Sequence, residues 1–242
     1  MKRVGVAAVD RALQVLAAFR DGDTALELSD LAARTGLYKS TILRLCASLE
    51  RHGYLRRLAT GAFRLGPAPL RLGHLYQQSF RLDDVIRPAL VALAGRSGES
   101  ASFYVREGSV RVCLFRTDSP HTVRDHVREG AQLPLERGAA GKVLLAFGGA
   151  RGRVFARIRR RLLAVSHGER DPETAAVACP VFDARGALVG ALTLSGPRYR
   201  FTRSAVASMT GLLLRTAADL TVALGGDRAA FDRAMSRGGE AT

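Results

Sequence analysis

One stretch of the chain, SDLAARTGLYKSTILRLC from Ser29 to Cys46, constrains the fold more than any other. Within it, Ala32 is followed four residues later by Gly36 and six residues further on by Ile42. A small residue lets two helices approach closely, a glycine adopts the positive φ of a tight turn, and a β-branched residue packs the next helix onto a core. This spacing predicts a helix-turn-helix.

The flanking residues extend this motif to three helices and a hairpin. Four apolar residues at helical spacing predict a first helix, Ser29 is a suitable N-cap for the second, and the third is expected from Tyr38 to Arg51. Two β-like runs follow at 54–58 and 62–65. A hairpin directly after a recognition helix is a wing, so residues 1–66 are predicted to form a winged helix-turn-helix that reads double-stranded DNA.

Side chains at the start and on the exposed face of the third helix would reach base edges and phosphates, and wing arginines would contact phosphates or the minor groove. The candidate DNA-binding residues are Tyr38, Lys39, Ser40, Thr41, Arg44, Arg56, Arg57 and Arg64. The alternative interpretation is that the hydroxyls cap a helix, Arg44 pairs with a neighbouring carboxylate, and the wing arginines lie along a solvated edge.

Charge and composition agree with a nucleic-acid partner but do not establish one. The net charge is +15, yet residues 1–66 hold eleven basic and six acidic residues, so the excess is not confined to the motif. The three cysteines are scattered, which argues against a disulfide framework or a zinc site. No run approaches the length of a membrane span, and we expect a cytoplasmic protein.

Enzymatic motifs are missing from the sequence. Gly141-Lys142 lacks the remainder of a phosphate-binding loop, no GxSxG surrounds Ser195, and the five histidines show no paired-ligand spacing. We therefore expect neither enzymatic activity nor a cofactor.

Beyond Gly66-Pro67 the pattern changes from helices to strand pairs followed by a long helix. The expected hairpins pair 103–106 with 110–116 and 176–182 with 187–195, and the expected last helix is 201–224. Hairpins flanked by helices indicate an α+β domain with an antiparallel sheet.

Short matches in a fixed order run along nearly the whole chain. They include Arg11-Ala12-Leu13, Leu31-Ala32, Thr35-Gly36-Leu37, Lys39-Ser40-Thr41, Arg44-Leu45, Leu65-Gly66, Pro134-Leu135, Gly141-Lys142, Gly168-Glu169, Pro180-Val181-Phe182-Asp183 and Leu194-Ser195-Gly196-Pro197. In these matches the chain resembles the IclR family of bacterial transcription regulators. The resemblance implies a homodimer or a dimer of dimers.

The resemblance also implies a domain organisation. Residues 1–66 would form the DNA-binding domain, 67–82 a linker helix, 83–226 a GAF-like effector-binding and dimerisation domain, and 227–242 a flexible tail. The stretch 147–165 is shorter than is usual in the family and rich in arginine, so the cover over the pocket is expected to be reduced. The arginines of 151–161 would lie on a solvated face or hold a second acidic partner, including DNA.

Family motifs carry six effector-binding candidates onto this chain: Gly138, Ala139, Glu169, Ala176, Thr193 and Ser195. Small residues beside a helix start would leave backbone N–H groups free to hold an anion, and Thr193 and Ser195 would share one strand face. The alternative is ordinary strand alternation in a filled core. The expected effector is a small organic acid or an aromatic compound.

Together these patterns predict a DNA-binding transcriptional regulator in which an effector or partner alters the angle between two DNA-reading domains. Two alternatives stay open. The chain could be a regulator of this family that no longer binds an effector. It could also be a small-molecule sensor module whose helix-turn-helix contacts protein rather than DNA.

Overall fold

The computed structural model describes residues 5–20, 22–79 and 82–238, and the chain divides into two compact units after Ser79. The elements of the first unit are α1 (Ala7–Ala17), α2 (Leu28–Thr35), α3 (Lys39–Arg51), β1 (Leu55–Arg57), β2 (Phe63–Leu65) and α4 (Ala68–Ser79). β1 and β2 form an antiparallel hairpin, and Leu26 makes a further bridge to Phe63. The core of the unit buries Val15, Leu31 and Ile42 completely. Three helices and this hairpin form the winged helix-turn-helix that the spacing predicts.

The turn of the helix-turn-helix forms at Gly36, which adopts a left-handed φ of 70° at the end of α2. The expectation for the start of α2 was wrong. Its N-cap is Glu27 rather than Ser29, and Ser29 is an exposed residue of the first turn. The Glu27 backbone N–H donates to the Asp30 carboxylate (3.1 Å), and the Glu27 side chain accepts from the Asp30 backbone N–H. This reciprocal pair satisfies two amide donors, where a serine hydroxyl would satisfy one.

The second unit is a three-layer α+β domain, with helices on both faces of one sheet. Its elements are α5 (Asp83–Ser97), β3 (Ser100–Glu107), β4 (Val110–Thr117), β5 (Gln132–Pro134), α6 (Gly138–Phe147), α7 (Arg153–Arg161), β6 (Ala164–His167), β7 (Thr174–Phe182), β8 (Leu188–Pro197), α8 (Arg203–Ala223) and α9 (Ala229–Gly238). The strand order is β5-β4-β3-β8-β7-β6, and every neighbouring pair is antiparallel. The edge strands β5 and β6 were not predicted, because three or four residues are too few to show alternation.

Strand alternation sends side chains to two different cores. On β8, Leu192 and Leu194 pack with α5 and α8 on one face of the sheet. Ala191 packs with α6 on the other face, and Thr193 follows it at the next alternate position. The six-stranded sheet therefore separates a mostly aliphatic core from a second face that carries polar side chains.

Where a flexible tail was expected over 227–242, the structure contains α9. Phe231 is completely buried, and its ring lies 6.0 Å from that of Phe182. Ala230, Ala234 and Met235 pack against the same core, and together with Phe231 they dock the helix. The polar residues between them conceal this apolar side in the sequence. Residues 239–242 lie outside the described part of the chain.

Candidate functional site

The exposed face at the start of α3 carries the first group of candidate residues. Tyr38, the N-cap, is 85% exposed, and Lys39, Ser40 and Arg44 are exposed as well. Thr41 is half-buried. The structure thus places these five residues together, with four of them open to solvent.

The opposite side of α3 is held in the core by Ile42, which is completely buried. Neither Lys39 nor Arg44 forms an ion pair within the described residues, and no side chain caps the start of α3. The alternative in which Arg44 pairs with a neighbouring carboxylate therefore finds no support. A rigid helix presents two cations that have no anionic partner in the described structure.

The wing arginines differ from one another. Arg56 and Arg64 face each other across the hairpin, and both are exposed. Like charges directly opposite each other destabilise a strand pair, and a bound anion would relieve their repulsion. Arg57 instead lies over the Phe63 ring, with its guanidinium carbon 5.5 Å from the ring centroid. Arg56 and Arg64 are consequently the better-placed phosphate contacts.

The six effector candidates lie around one small cavity on the α6 face of the sheet. Glycine and alanine residues from α6 and β7 line it, together with Glu169, Thr193 and Ser195. The volume that a water molecule can occupy is about 30 Å³, which is room for about one or two waters. The six residues lie up to 57 positions apart in the chain and yet line one cavity. Other residues of the cavity wall were not among the candidates.

The N-terminus of α6 was expected to offer free amide groups, and this expectation was wrong. The Gly138 N–H donates to the Glu169 carboxylate (3.1 Å), and the Ala139 N–H donates to the Ser166 hydroxyl (3.1 Å). Glu169 also forms an ion pair with Lys142. Gly138 has a φ of 81°, a conformation that favours glycine. An internal carboxylate therefore already occupies the place where we expected an external anion.

A buried charge network that the sequence did not reveal borders the cavity. The Ser195 hydroxyl donates to Asp125 (2.9 Å), and Arg116 donates to the other oxygen of the same carboxylate (3.1 Å). Burial acts to lower the pKa of Arg116, but the charge of Asp125 and hydrogen bonds to Asp118 and Asp125 raise that pKa above its ordinary value. Arg170 lies 3.8 Å from Asp125. Ser195 is thus hydrogen-bonded within the protein, unlike its neighbour Thr193.

Arg111 and Tyr104 also line the cavity and were not predicted. Arg111 donates from Nη1 to the backbone carbonyls of Pro134 and Arg137, and its guanidinium carbon lies 5.4 Å from the Tyr104 ring centroid. Within the part of the chain that the structure describes, its Nε has no hydrogen-bond partner, and neither has Thr193 Oγ1. An arginine at an alternating strand position is typical of a solvent-facing residue. For that reason the sequence did not indicate Arg111 as a candidate.

Comparison with known proteins identifies both units. The family model of the IclR helix-turn-helix domain matches residues 8–59. The model of the bacterial transcriptional regulator IclR C-terminal domain matches residues 74–152 and 152–222. The chain belongs to the IclR family of bacterial transcriptional regulators. As a member of the IclR family, it has an N-terminal DNA-binding domain and a C-terminal effector-binding domain.

Individual IclR relatives span almost the whole chain. The HTH-type transcriptional regulator BhcR of Paracoccus denitrificans is 25% identical over 256 residues, covering 95% of this chain and 91% of that protein. The IclR transcriptional regulator of Alicyclobacillus acidocaldarius is 25% identical with a TM-score of 0.73, covering 92% of this chain and all of that one. An IclR homologue of Microbacterium hydrocarbonoxydans, solved with 4-hydroxybenzoate, is 22% identical with a TM-score of 0.79, covering 90% and 99% of the two chains.

One further structural observation concerns membranes. Among the residues that the structure describes, none of the helices combines the length and apolar character needed to span a bilayer.

Proposed function

We propose that this IclR-family regulator reads a specific promoter sequence with Lys39, Ser40, Thr41 and Arg44, as a homodimer or a dimer of dimers. The observation that carries the proposal is the exposed start of α3, where Lys39 and Arg44 have no ion-pair partner in the described residues. Arg44 is the candidate for bidentate binding to guanine, with Tyr38 beside it. Arg56, Arg57 and Arg64 on the wing add contacts to the phosphate backbone.

The C-terminal cavity supports the second half of the proposal, an effector site formed by Gly138, Ala139, Glu169, Ala176, Thr193 and Ser195. We propose a small organic acid as the effector, which would change the angle between two DNA-reading domains and so the affinity for two half-sites. The Microbacterium homologue was solved with such an acid, 4-hydroxybenzoate. The proposal places the protein in the cytoplasm and includes no enzymatic step and no cofactor.

A second candidate is a regulator of this family that binds no effector. The cavity volume of about 30 Å³ favours it, because an aromatic acid does not fit in that space without movement of the wall.

Fluorescence anisotropy with labelled duplexes tests the DNA-reading half. The duplex from the protein's own promoter is compared with a scrambled duplex of equal length, using the full chain at fixed salt. Arg44→Glu should lower the preference for the promoter duplex about tenfold or more, since a bidentate arginine–guanine contact provides about 1–3 kcal/mol of discrimination.

Arg96→Glu makes the same charge change at an exposed position of α5 and is the matched control. It should retain the preference. A wild-type protein that binds both duplexes equally, or an Arg44→Glu variant with unchanged preference, would refute sequence reading by α3. Absence of any duplex binding would favour a helix-turn-helix that contacts protein.

A further inference from the structure

Two residues that line the effector cavity each carry a buried polar atom with no hydrogen-bond partner in the described structure. Among the described residues, the buried side-chain polar atoms without a partner are Arg111 Nε and Thr193 Oγ1, and both residues line this cavity. Arg111 is 4% exposed and Thr193 is 2% exposed. Folded proteins pair nearly all such atoms. Two exceptions on residues that line one cavity therefore mark a place where ordered water, or a ligand that displaces it, completes them.

The other charged groups at the cavity already have partners of opposite charge. Asp125 lies against Arg116 at 3.1 Å and Arg170 at 3.8 Å. Glu169 is paired with Lys142. A carboxylate ligand would be repelled by Asp125 and Glu169, and the charge of Arg170 is shared with Asp125.

Arg111 is the exception, because it forms no ion pair within the described residues. Its Nη1 donates to the carbonyls of Pro134 and Arg137, whereas no hydrogen bond in the described structure uses Nε or Nη2. Burial lowers the pKa of this guanidinium below its ordinary value, although an arginine remains charged in proteins. The Nε–Nη2 edge is one of the edges that bind a carboxylate through two parallel hydrogen bonds.

The position of Arg111 also limits the size of the ligand. Its guanidinium lies between the Tyr104 ring, 5.4 Å away, and the first turns of α6. A Cβ at Gly138 would be 3.3 Å from Nη2, and one at Gly141 would be 2.9 Å from Nη1. Gly138 thus leaves room for the guanidinium, whereas a Cβ at Gly141 would first meet the Leu135 carbonyl oxygen, at 2.0 Å. The guanidinium takes up part of the cavity that an aromatic ring would need.

We propose that Arg111 selects the effector of this regulator, a small aliphatic monocarboxylate. The carboxylate binds the Nε–Nη2 edge of Arg111, and Thr193 forms a hydrogen bond to the same ligand. Arg111 excludes aromatic acids from the space that it occupies. This inference rests on the proposed effector function of the cavity and adds the residue that determines specificity.

Thermal unfolding and isothermal titration of the full-length protein test this inference. The probes are sodium acetate, propionate and lactate, with 4-hydroxybenzoate as the aromatic acid and sodium chloride at matched ionic strength as the blank. At least one aliphatic acid should raise the Tm of the wild type in a saturable way, and 4-hydroxybenzoate should not. Arg111→Met should weaken aliphatic acid binding at least tenfold, and Thr193→Val should weaken it several-fold.

Two further variants make the result specific. Arg111→Lys retains the charge but not the two-donor edge, so it should also bind more weakly than the wild type. Arg203→Met replaces an exposed arginine at the start of α8 and should bind like the wild type. Should Arg111→Met fail to unfold cooperatively, the Arg111→Lys and Thr193→Val measurements decide the question.

Equal binding of an aliphatic acid by the wild type, Arg111→Lys and Thr193→Val would overturn the inference. So would a wild type that binds no aliphatic acid, or one that binds 4-hydroxybenzoate more tightly than acetate. These failures leave the reading of promoter DNA intact. A wild type that binds both duplexes equally, or an Arg44→Glu variant with unchanged preference, would instead contradict the proposed DNA reading while leaving acid binding intact.

Discussion

Thr193 shows how a single side chain can lower the stability of the unliganded protein. It lies in register with Ser102 on β3 and Ala178 on β7, in the middle of the sheet. Its hydroxyl is buried and has no partner. Burying an unpaired hydroxyl costs about 1–3 kcal/mol relative to an apolar group of the same shape. A residue that only filled the core would be expected to be valine.

Replacing Thr193 with valine removes the unpaired hydroxyl and keeps the side-chain shape. We expect the free energy of unfolding without ligand to rise by up to about 1 kcal/mol, measured by urea denaturation. Thr221→Val is the matched control, because the buried Thr221 hydroxyl accepts from the Phe182 N–H (3.2 Å) and its loss should lower stability. If Thr193→Val is destabilised as much as the control, the Thr193 hydroxyl is satisfied in the unliganded protein.

The wing is a hairpin of two three-residue strands, too short to be stable on its own. It is attached to the rest of the unit by the bridge between Leu26 and Phe63 and by the Arg57 N–H, which donates to Glu50 (2.9 Å). These contacts hold Arg56 and Arg64 opposite each other despite their like charge. The hairpin therefore fixes the backbone positions of the two arginines that we propose as phosphate contacts.

The double variant Arg56→Gln/Arg64→Gln should weaken binding to the promoter duplex and to the scrambled duplex by the same factor, because phosphate contacts carry no sequence information. The slope of log affinity against log salt concentration should become shallower by about two, one for each phosphate contact removed. Anisotropy titrations at several salt concentrations measure both quantities. Loss of affinity for the promoter duplex alone would show that the wing reads bases.

Each of the two compact units has its own core and its own buried thiols. Cys46 lies in the first unit, and Cys113 and Cys179 lie in the second. Burial raises the pKa of Cys46 to about 11 and that of Cys113 to about 12. Thiol chemistry can consequently report on the unfolding of each unit separately.

At pH 8 all three thiols should resist a disulfide reagent until the unit that contains them unfolds, since the reactive thiolate is both buried and scarce. Because the folded pKa values are raised, the thiols contribute stability that is complete below about pH 9 and is lost as pH rises towards 11. Labelling at increasing urea concentration, compared with the same labelling of Cys46→Ala, should distinguish the unfolding transition of the first unit from that of the second. Rapid labelling of the native protein at pH 8 would contradict the buried positions.

Local sequence patterns predicted most of the elements, because each pattern reports on residues within a few positions of one another. Gly36 has the positive φ that a tight turn requires, and Ile42 falls on the buried side of α3. Alternation located the two central hairpins. Short edge strands and the α9 helix, which depends on Phe231, lack such a pattern and were missed.

The candidate cavity also combines features that the sequence predicts with features that only the tertiary structure determines. Family motifs were sufficient to bring six residues to its wall, because their positions on the fold follow from the elements that carry them. The partners of buried polar atoms do not follow in this way, since Ser195 meets Asp125 across 70 positions and Gly138 meets Glu169 across 31. Such pairings arise from long-range packing, and packing alone left Arg111 Nε and Thr193 Oγ1 without a partner.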